Sequence, residues 1–160
     1  MNASKLLVFC TLCASVGLCQ DQPSIIVRGL AGKTIAVTEA DLARLPQHSI
    51  TTTDHGSPAT FQGVLLSDVL AKVDLPLGDT YHSTAASYYV LAEAKDGYRV
   101  LFAWAELDSS FMDKQIYVVT KRDAKPLPEN ARPFQLVVPG EKRGGRWLRQ
   151  LTVITVKQAN

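Results

Sequence analysis

The chain has 160 residues, and its 17 Lys+Arg nearly balance its 15 Asp+Glu, for a formal net charge of +2. This length suits one ordinary domain, and a hydrophobic share of 46% is enough for one core. A charge this close to neutral gives no electrostatic footprint for nucleic acid or an anionic membrane, so we expect neither as a partner.

The first segment has the pattern of a secretory signal peptide. Lys5 gives a short positive start, and the run 6–18 is apolar but too short to cross a bilayer as a stable helix. The small residues Gly17 and Cys19 stand three positions and one position before a predicted cut at Gln20.

We therefore predict a signal peptide at 1–19 and a single domain at 20–160. The protein is then a periplasmic or secreted bacterial protein with no membrane span after cleavage. The alternatives are a retained anchor helix and a lipoprotein attached through Cys19, which the bulky Leu18 disfavours.

All cysteines lie in this leader, at Cys10, Cys13 and Cys19. The domain after the cut is therefore expected to contain no disulfide, no thiolate nucleophile and no thiolate metal ligand. Its core alone must hold it together.

The domain begins with two predicted strands and a helix. The apolar runs 25–27 and 33–37 are typical of short strands. Thr38 is a typical N-cap, and the helix that it starts should run to about Leu45 and stop before Pro46.

The next elements alternate between extended and helical patterns. The threonine-rich run 48–53 predicts a strand, 54–58 a loop, and 60–62 a short extended piece that Gly63 breaks. Ser67 is expected to cap a second helix.

The strongest hairpin signal is Lys95-Asp96-Gly97, between the β-rich runs 87–94 and 98–103. Residues 104–107 suit a single helical turn.

Three further strands are predicted at 115–120, 134–138 and 151–156, separated by the polar loop 121–132 and the basic loop 141–146. About eight short strands and two short helices without a βαβ rhythm indicate an α+β domain with mixed, mostly antiparallel sheets.

Four segments together resemble a known family in their order and spacing. They are Thr60-Phe61-Gln62-Gly63-Val64-Leu65-Leu66 before the second helix, Asp96-Gly97-Tyr98 in the hairpin, Phe134-Gln135-Leu136-Val137-Val138-Pro139-Gly140, and Arg146-Trp147-Leu148 before the last strand. The combination resembles the molybdopterin-binding domain of the sulfite oxidase family over roughly 25–156.

The resemblance implies that family's fold and a molybdenum ion held by a dithiolene pterin and one protein cysteine. The matching stretch here, 51–57, contains no cysteine. The chain is therefore similar to a small, exported, stand-alone member that lacks the metal ligand, and we predict no metal site.

Two patches are candidate cofactor-binding residues. His55 lies in a glycine-containing loop, where a neutral imidazole binds a metal or a proton, although an ordinary surface histidine has the same pattern. Arg143, Gly144, Gly145 and Arg146 combine guanidinium groups with open backbone, which suits a phosphate. The resemblance places the phosphate of the pterin at this loop, and a solvated basic turn is its ordinary alternative.

The remaining candidate patch is the loop 121–127, whose basic residues add to such an anion site or form a solvated face. Trp147 is expected in the core with its indole N–H hydrogen-bonded.

The preferred hypothesis is an exported module that binds a pterin or another anionic small molecule without redox chemistry. Molybdopterin is the candidate pterin. One alternative is an oxidoreductase in which His55, Asp54 or Ser57 replaces the thiolate. Another is an accessory domain that binds an exported protein partner through an exposed edge strand.

Overall fold

The computed structural model describes residues 22–80 and 82–159. The predicted signal peptide and its three cysteines lie outside these residues. Within them the chain forms ten strands and two short helices. The strands are β1 Ser24–Arg28, β2 Thr34–Thr38, β3 His48–Asp54, β4 Ser57–Leu65, β5 Tyr88–Ala94, β6 Arg99–Ala103, β7 Tyr117–Arg122, β8 Lys125–Pro126, β9 Gln135–Val137 and β10 Leu151–Gln158. The helices are α1 Glu39–Leu42 and α2 Leu66–Ala71.

The strands form two mixed or antiparallel sheets. Sheet A has the order β2-β1-β10-β5-β6, in which only β1 and β10 run parallel. Sheet B has β3, β4 and β7 side by side, and β7 also pairs with both β8 and β9. The predicted fold class, an α+β domain with mostly antiparallel sheets and short helices, is confirmed.

Two apolar clusters hold the sheets together. The main core joins the inner face of sheet A to helix α2 and to one face of sheet B. A second, smaller core covers the other face of sheet B. Neighbouring residues of β9 therefore belong to different cores, Leu136 to the main core and Val137 to the second.

The predicted start of the first helix is confirmed. The Thr38 hydroxyl accepts a hydrogen bond from the Asp41 backbone N–H at 3.2 Å, and the Asp41 carboxylate accepts one from the Thr38 N–H at 3.0 Å. This reciprocal capping box satisfies two backbone donors that the helix leaves open. The helix ends at Leu42, earlier than predicted.

The predicted cap of the second helix is wrong. Helix α2 begins at Leu66 rather than after Ser67, and Leu65 before it has no capping side chain. The Leu66 N–H instead donates to the carbonyl of Ile116 at 2.8 Å, so a tertiary contact takes the place of the local cap.

Three predicted loops and breaks are wrong in detail. Gly63 does not end a strand, because β4 continues to Leu65 with a bulge at this point. The loop 54–58 is a tight hairpin turn, with positive φ at His55 and Gly56. The loop 121–132 contains a second such turn at 123–124, followed by β8.

No helix among residues 22–80 and 82–159 is both long and apolar enough to cross a membrane.

Candidate anion-binding cleft

Two adjoining cavities of about 350 and 510 Å³ meet between the turn of the β3–β4 hairpin and the loop 139–150. They share Asp54, His55, Gly144 and Trp147. We call the pair the basic cleft. The first cavity is also lined by Ala94, Asp96, Tyr98, Gln135, Gly145 and Arg149. The second is also lined by Thr53, Gly56, Glu141, Lys142 and Arg143.

His55 lies at the tip of the hairpin and reaches the cleft. Its Nε2 is 3.4 Å from Nη2 of Arg149. The same nitrogen lies 3.6 Å from Oδ1 of Asp54. The His55 side chain is 77% exposed and therefore open to a ligand.

Asp54 beside it is only 10% exposed and is paired with Arg122. The Arg122 guanidinium also stacks over the Phe61 ring, 5.5 Å from its centroid. Arg122, which belongs to the candidate patch 121–127, therefore supports the hairpin. No residue of 121–127 lines the cleft.

The basic loop contributes cations and open backbone. Lys142 and Arg143 are exposed, and neither pairs with a carboxylate in the described part of the chain. Gly144–Arg146 forms one 3₁₀ turn, whose Gly145 carbonyl accepts a hydrogen bond from the Tyr98 hydroxyl at 2.7 Å. A Cβ at Gly145 would meet nothing within 4 Å, so the backbone here faces open space.

Arg146, also predicted to bind the cofactor, does not line the cleft. Its Nη1 donates to Glu106 Oε2 at 2.8 Å, and its Nε donates to Glu141 Oε1 at 2.8 Å. The guanidinium lies over the Phe102 ring, 5.0 Å from its centroid. Arg146 thus anchors the basic loop to the body of the domain.

The anchor keeps its charges at neutral pH. Burial would raise the pKa of Glu141, but hydrogen bonds and charges from Arg146 and Lys114 hold that pKa below its ordinary value. Burial lowers the pKa of Arg146, but the hydrogen bonds and charges of Glu106 and Glu141 outweigh burial. The pKa of Arg146 is therefore raised above its ordinary value. Glu141 is therefore neutralised from within the domain, and the exposed cations of the cleft remain in excess.

The sequence reasoning missed two residues of the cleft. Arg149 is exposed and has no carboxylate partner in the described part of the chain. Gln135 is 5% exposed and lines the first cavity, and its amide forms no hydrogen bond with the described residues. In the sequence, Gln135 stands out as the single polar residue of the apolar run 134–138, which could have indicated a functional role. Nothing but its charge marks Arg149.

Trp147 joins the cleft to both cores. Its indole N–H donates to the Val138 carbonyl at 2.9 Å, as predicted, and its ring meets Phe61 edge-on at 5.5 Å. The residue is half-buried rather than wholly in the core, because part of it lines both cavities.

The donor set does not fit a metal held by a thiolate. Residues 22–80 and 82–159 contain no cysteine and no group of three or more His, Cys, Asp or Glu side chains placed to hold a metal ion. The cleft instead presents cations and an amide without a partner among the described residues.

Comparisons with known proteins give a likeness of fold. No family model matches the chain, and no curated protein matches its sequence. The structure is similar to that of the sulfane dehydrogenase SoxCD from Paracoccus pantotrophus, with a TM-score of 0.66 and 18% identity. The match covers 86% of this chain and 38% of that chain, so this chain spans well under half the length of the neighbour.

Proposed function

We propose that this protein is an exported module whose basic cleft binds a small anionic ligand with a planar polar ring, of the class of a phosphorylated pterin. The binding requires no thiolate-held molybdenum. The observation that carries the proposal is the meeting of unpaired cations with the Gln135 amide, which opens into the same cleft and has no hydrogen-bond partner among the described residues.

The cations supply the affinity for an anion. Lys142, Arg143 and Arg149 come from two ends of one loop and surround the cleft without carboxylate partners in the described part of the chain. One guanidinium group can donate two parallel hydrogen bonds to the oxygens of a phosphate. A guanidinium without a carboxylate partner has no ion pair to break before it does so. Of the carboxylates that line the cleft, Asp54 and Glu141 are already neutralised by Arg122 and Arg146. Asp96 accepts a hydrogen bond from the Tyr98 N–H at 2.9 Å and keeps its charge, so three cations face one uncompensated carboxylate.

Gln135 and Trp147 supply the recognition of the ring. An amide that opens into a cleft without a protein partner is free to pair with a ligand that has matching donors and acceptors, and each such hydrogen bond contributes about 0.5–1.5 kcal/mol. The edge of a pterin offers such groups, and the indole of Trp147 offers an aromatic surface beside them. A free phosphate ion would leave the amide unpaired, so the ring distinguishes the proposed ligand from phosphate alone.

The sequence resemblance supports the same ligand class. The four segments that resemble the molybdopterin-binding domain include Phe134–Gly140 and Arg146–Leu148, which flank the basic loop of the cleft. The location outside the cytoplasm rests on the signal peptide predicted at 1–19.

The test measures binding by isothermal titration calorimetry with three compounds. They are a phosphorylated pterin, its unphosphorylated analogue and inorganic phosphate. We expect Arg149→Ala to weaken binding of the phosphorylated pterin about tenfold, because it removes a charge-assisted contact. Arg44→Ala is the matched control, because Arg44 is an exposed cation that pairs with Asp41 and lies outside the cleft.

A second variant tests the ring. Gln135→Leu is expected to reduce the preference for the phosphorylated pterin over inorganic phosphate, because Trp147 is then left to recognise the ring alone, and to leave phosphate binding unchanged. Equal affinity of Arg149→Ala and Arg44→Ala for the phosphorylated pterin would overturn the proposal. About one molybdenum per chain in the protein isolated from a pterin-producing host would overturn the part that excludes a bound metal.

A further inference from the structure

A second cavity of about 320 Å³ lies between helix α2 and the start of β7. It shares no lining residue with the basic cleft. Most of its wall is apolar and comes from Leu65, Ala71, Leu77, Leu107, Met112 and Ile116. Its volume lies at the lower end of the range for small-molecule sites. We call it the acidic cavity.

Three carboxylates and one ammonium group line this cavity. Glu106 is already engaged, because it accepts hydrogen bonds from Arg146 at 2.8 Å and from the Ala103 N–H at 3.1 Å. Lys114 pairs with Glu141 at 3.0 Å and forms no ion pair with a carboxylate of the cavity among the described residues. The charges left to a ligand are therefore those of Asp68 and Asp108.

Asp108 is a buried carboxylate with no cationic partner in the described part of the chain. It is 2% exposed, and it accepts hydrogen bonds from the Gly78 N–H at 2.7 Å and from Ser110 N–H and Oγ at 2.9 and 2.6 Å. Burial raises its pKa, but these bonds outweigh burial and hold the pKa below its ordinary value. The cavity therefore keeps a fixed negative charge at neutral pH.

Asp68 is the carboxylate left open to a ligand. It lies in the first turn of α2, is half-buried, and forms no ion pair or hydrogen bond with the described residues. A half-buried carboxylate beside an apolar wall gains most from a cation that brings its own apolar surface.

We propose that the acidic cavity is a binding site for a small alkylammonium compound. Its ammonium group pairs with Asp68, and its hydrocarbon chain lies against the apolar wall near Ala71 and Met112. A bare metal ion does not fit, because the described carboxylates do not converge on one point as metal ligands. This inference is independent of the ligand proposed for the basic cleft.

The experiment is a titration of the protein with n-hexylammonium chloride, followed through the amide signals of a ¹⁵N spectrum. We expect a dissociation constant on the order of 1 mM and shifts at Asp68, Gly78 and Met112 but not at Gly144. The same concentration of hexanoate, whose charge is opposite, should leave these signals unchanged. n-Hexanol, which lacks the charge, should bind at least fivefold more weakly.

Two variants separate charge from shape. Asp68→Asn is expected to weaken n-hexylammonium binding about tenfold, because it removes the charge and keeps the volume. Asp74→Asn is the matched control, since Asp74 is exposed, pairs with Lys33 and lies outside the cavity. Ala71→Met keeps every charge and fills the space, and should abolish binding.

Each of three results would overturn the inference. These are equal binding of n-hexanol and n-hexylammonium, equal affinity of Asp68→Asn and Asp74→Asn, or unchanged binding to Ala71→Met. The spectra of the free variants show whether each remains folded, so a loss of binding is not mistaken for unfolding.

Discussion

Gly63 is a residue whose importance depends on tertiary packing rather than on its local conformation. A Cβ at this position would collide with the Val118 carbonyl oxygen and lie 2.6 Å from the Cα of Val119. Both are backbone atoms of β7, so no side-chain rotation relieves the contact. The sequence suggested a glycine that breaks a strand, whereas the structure shows a glycine that lets two strands of sheet B approach.

Gly63→Ala is therefore expected to destabilise the protein by about 2–3 kcal/mol, because either β4 or β7 must shift to admit the methyl group. Urea unfolding followed by circular dichroism measures the loss. Gly145→Ala is the control and should stay within about 0.5 kcal/mol of the wild type, since its Cβ meets no atom within 4 Å. A wild-type midpoint for Gly63→Ala would contradict the packing argument.

At the scale of elements, the sequence was informative where the signal was local. The Asp-Gly hairpin between β5 and β6 and the Thr38 N-cap of α1 depend on neighbouring residues, and both were predicted. The start of α2 depends on the Ile116 carbonyl, fifty residues away in the chain. The hairpin turn at His55-Gly56 was described only as a loop, because a histidine is an uncommon residue at positive φ.

The basic loop shows the same division between local and tertiary causes. Its composition correctly indicated two glycines with open backbone and several cations. It did not indicate that Arg146 turns away to Glu106 and Glu141, because the first of these partners is forty residues away. Of the two arginines predicted to bind the cofactor, only Arg143 lines the cleft, and its binding role stays a prediction.

The ion pairs of this loop should make stability depend on pH. Arg146 and Lys114 hold the pKa of Glu141 below its ordinary value in the folded protein. The contribution of Glu141 is therefore complete above the unfolded pKa of about 4.3 and is lost as the pH falls through the lower folded value.

We expect Glu141→Gln to be less stable than the wild type at pH 7, and the difference between them to shrink as the pH falls below about 4.3. Urea unfolding at a series of pH values measures this difference. Glu39→Gln is a suitable control, because Glu39 is exposed and forms no ion pair with the described residues. A difference that stays constant down to pH 3 would show that Glu141 contributes through its shape rather than its charge.

At the scale of the whole molecule, the candidate cleft is an assembly of segments that are distant in the chain. The turn at His55, the strand residue Gln135 and the loop that carries Arg143 and Arg149 meet only because sheet B and the last loop pack together around Trp147. Periodicity and turn signals predict strands, but they do not give the order of strands in a sheet. The resemblance to a known family pointed to the basic loop, and it gave no indication that Gln135 or Arg149 would line the cleft.

Sheet B lies between the two apolar cores, and this arrangement has a consequence for unfolding. Leu136 and Val137 are adjacent in β9 and fully buried, but they face the main core and the second core respectively. Trp147 packs against both cores, whereas Trp104 belongs to the main core alone. Since the same backbone supports both cores, we expect them to unfold in one transition.

Leu136→Ala should cost about 2–5 kcal/mol and Val137→Ala about 2 kcal/mol, and each should lower the melting temperature without splitting the transition. The measurement compares tryptophan fluorescence, which reports on Trp104 and Trp147, with far-ultraviolet circular dichroism, which reports on both sheets. If the second core were an independent unit, Val137→Ala would melt in two steps, with the change near Trp147 preceding the loss of sheet A. Coincident transitions in both variants would show that the cleft around Trp147 is as stable as the domain that carries it.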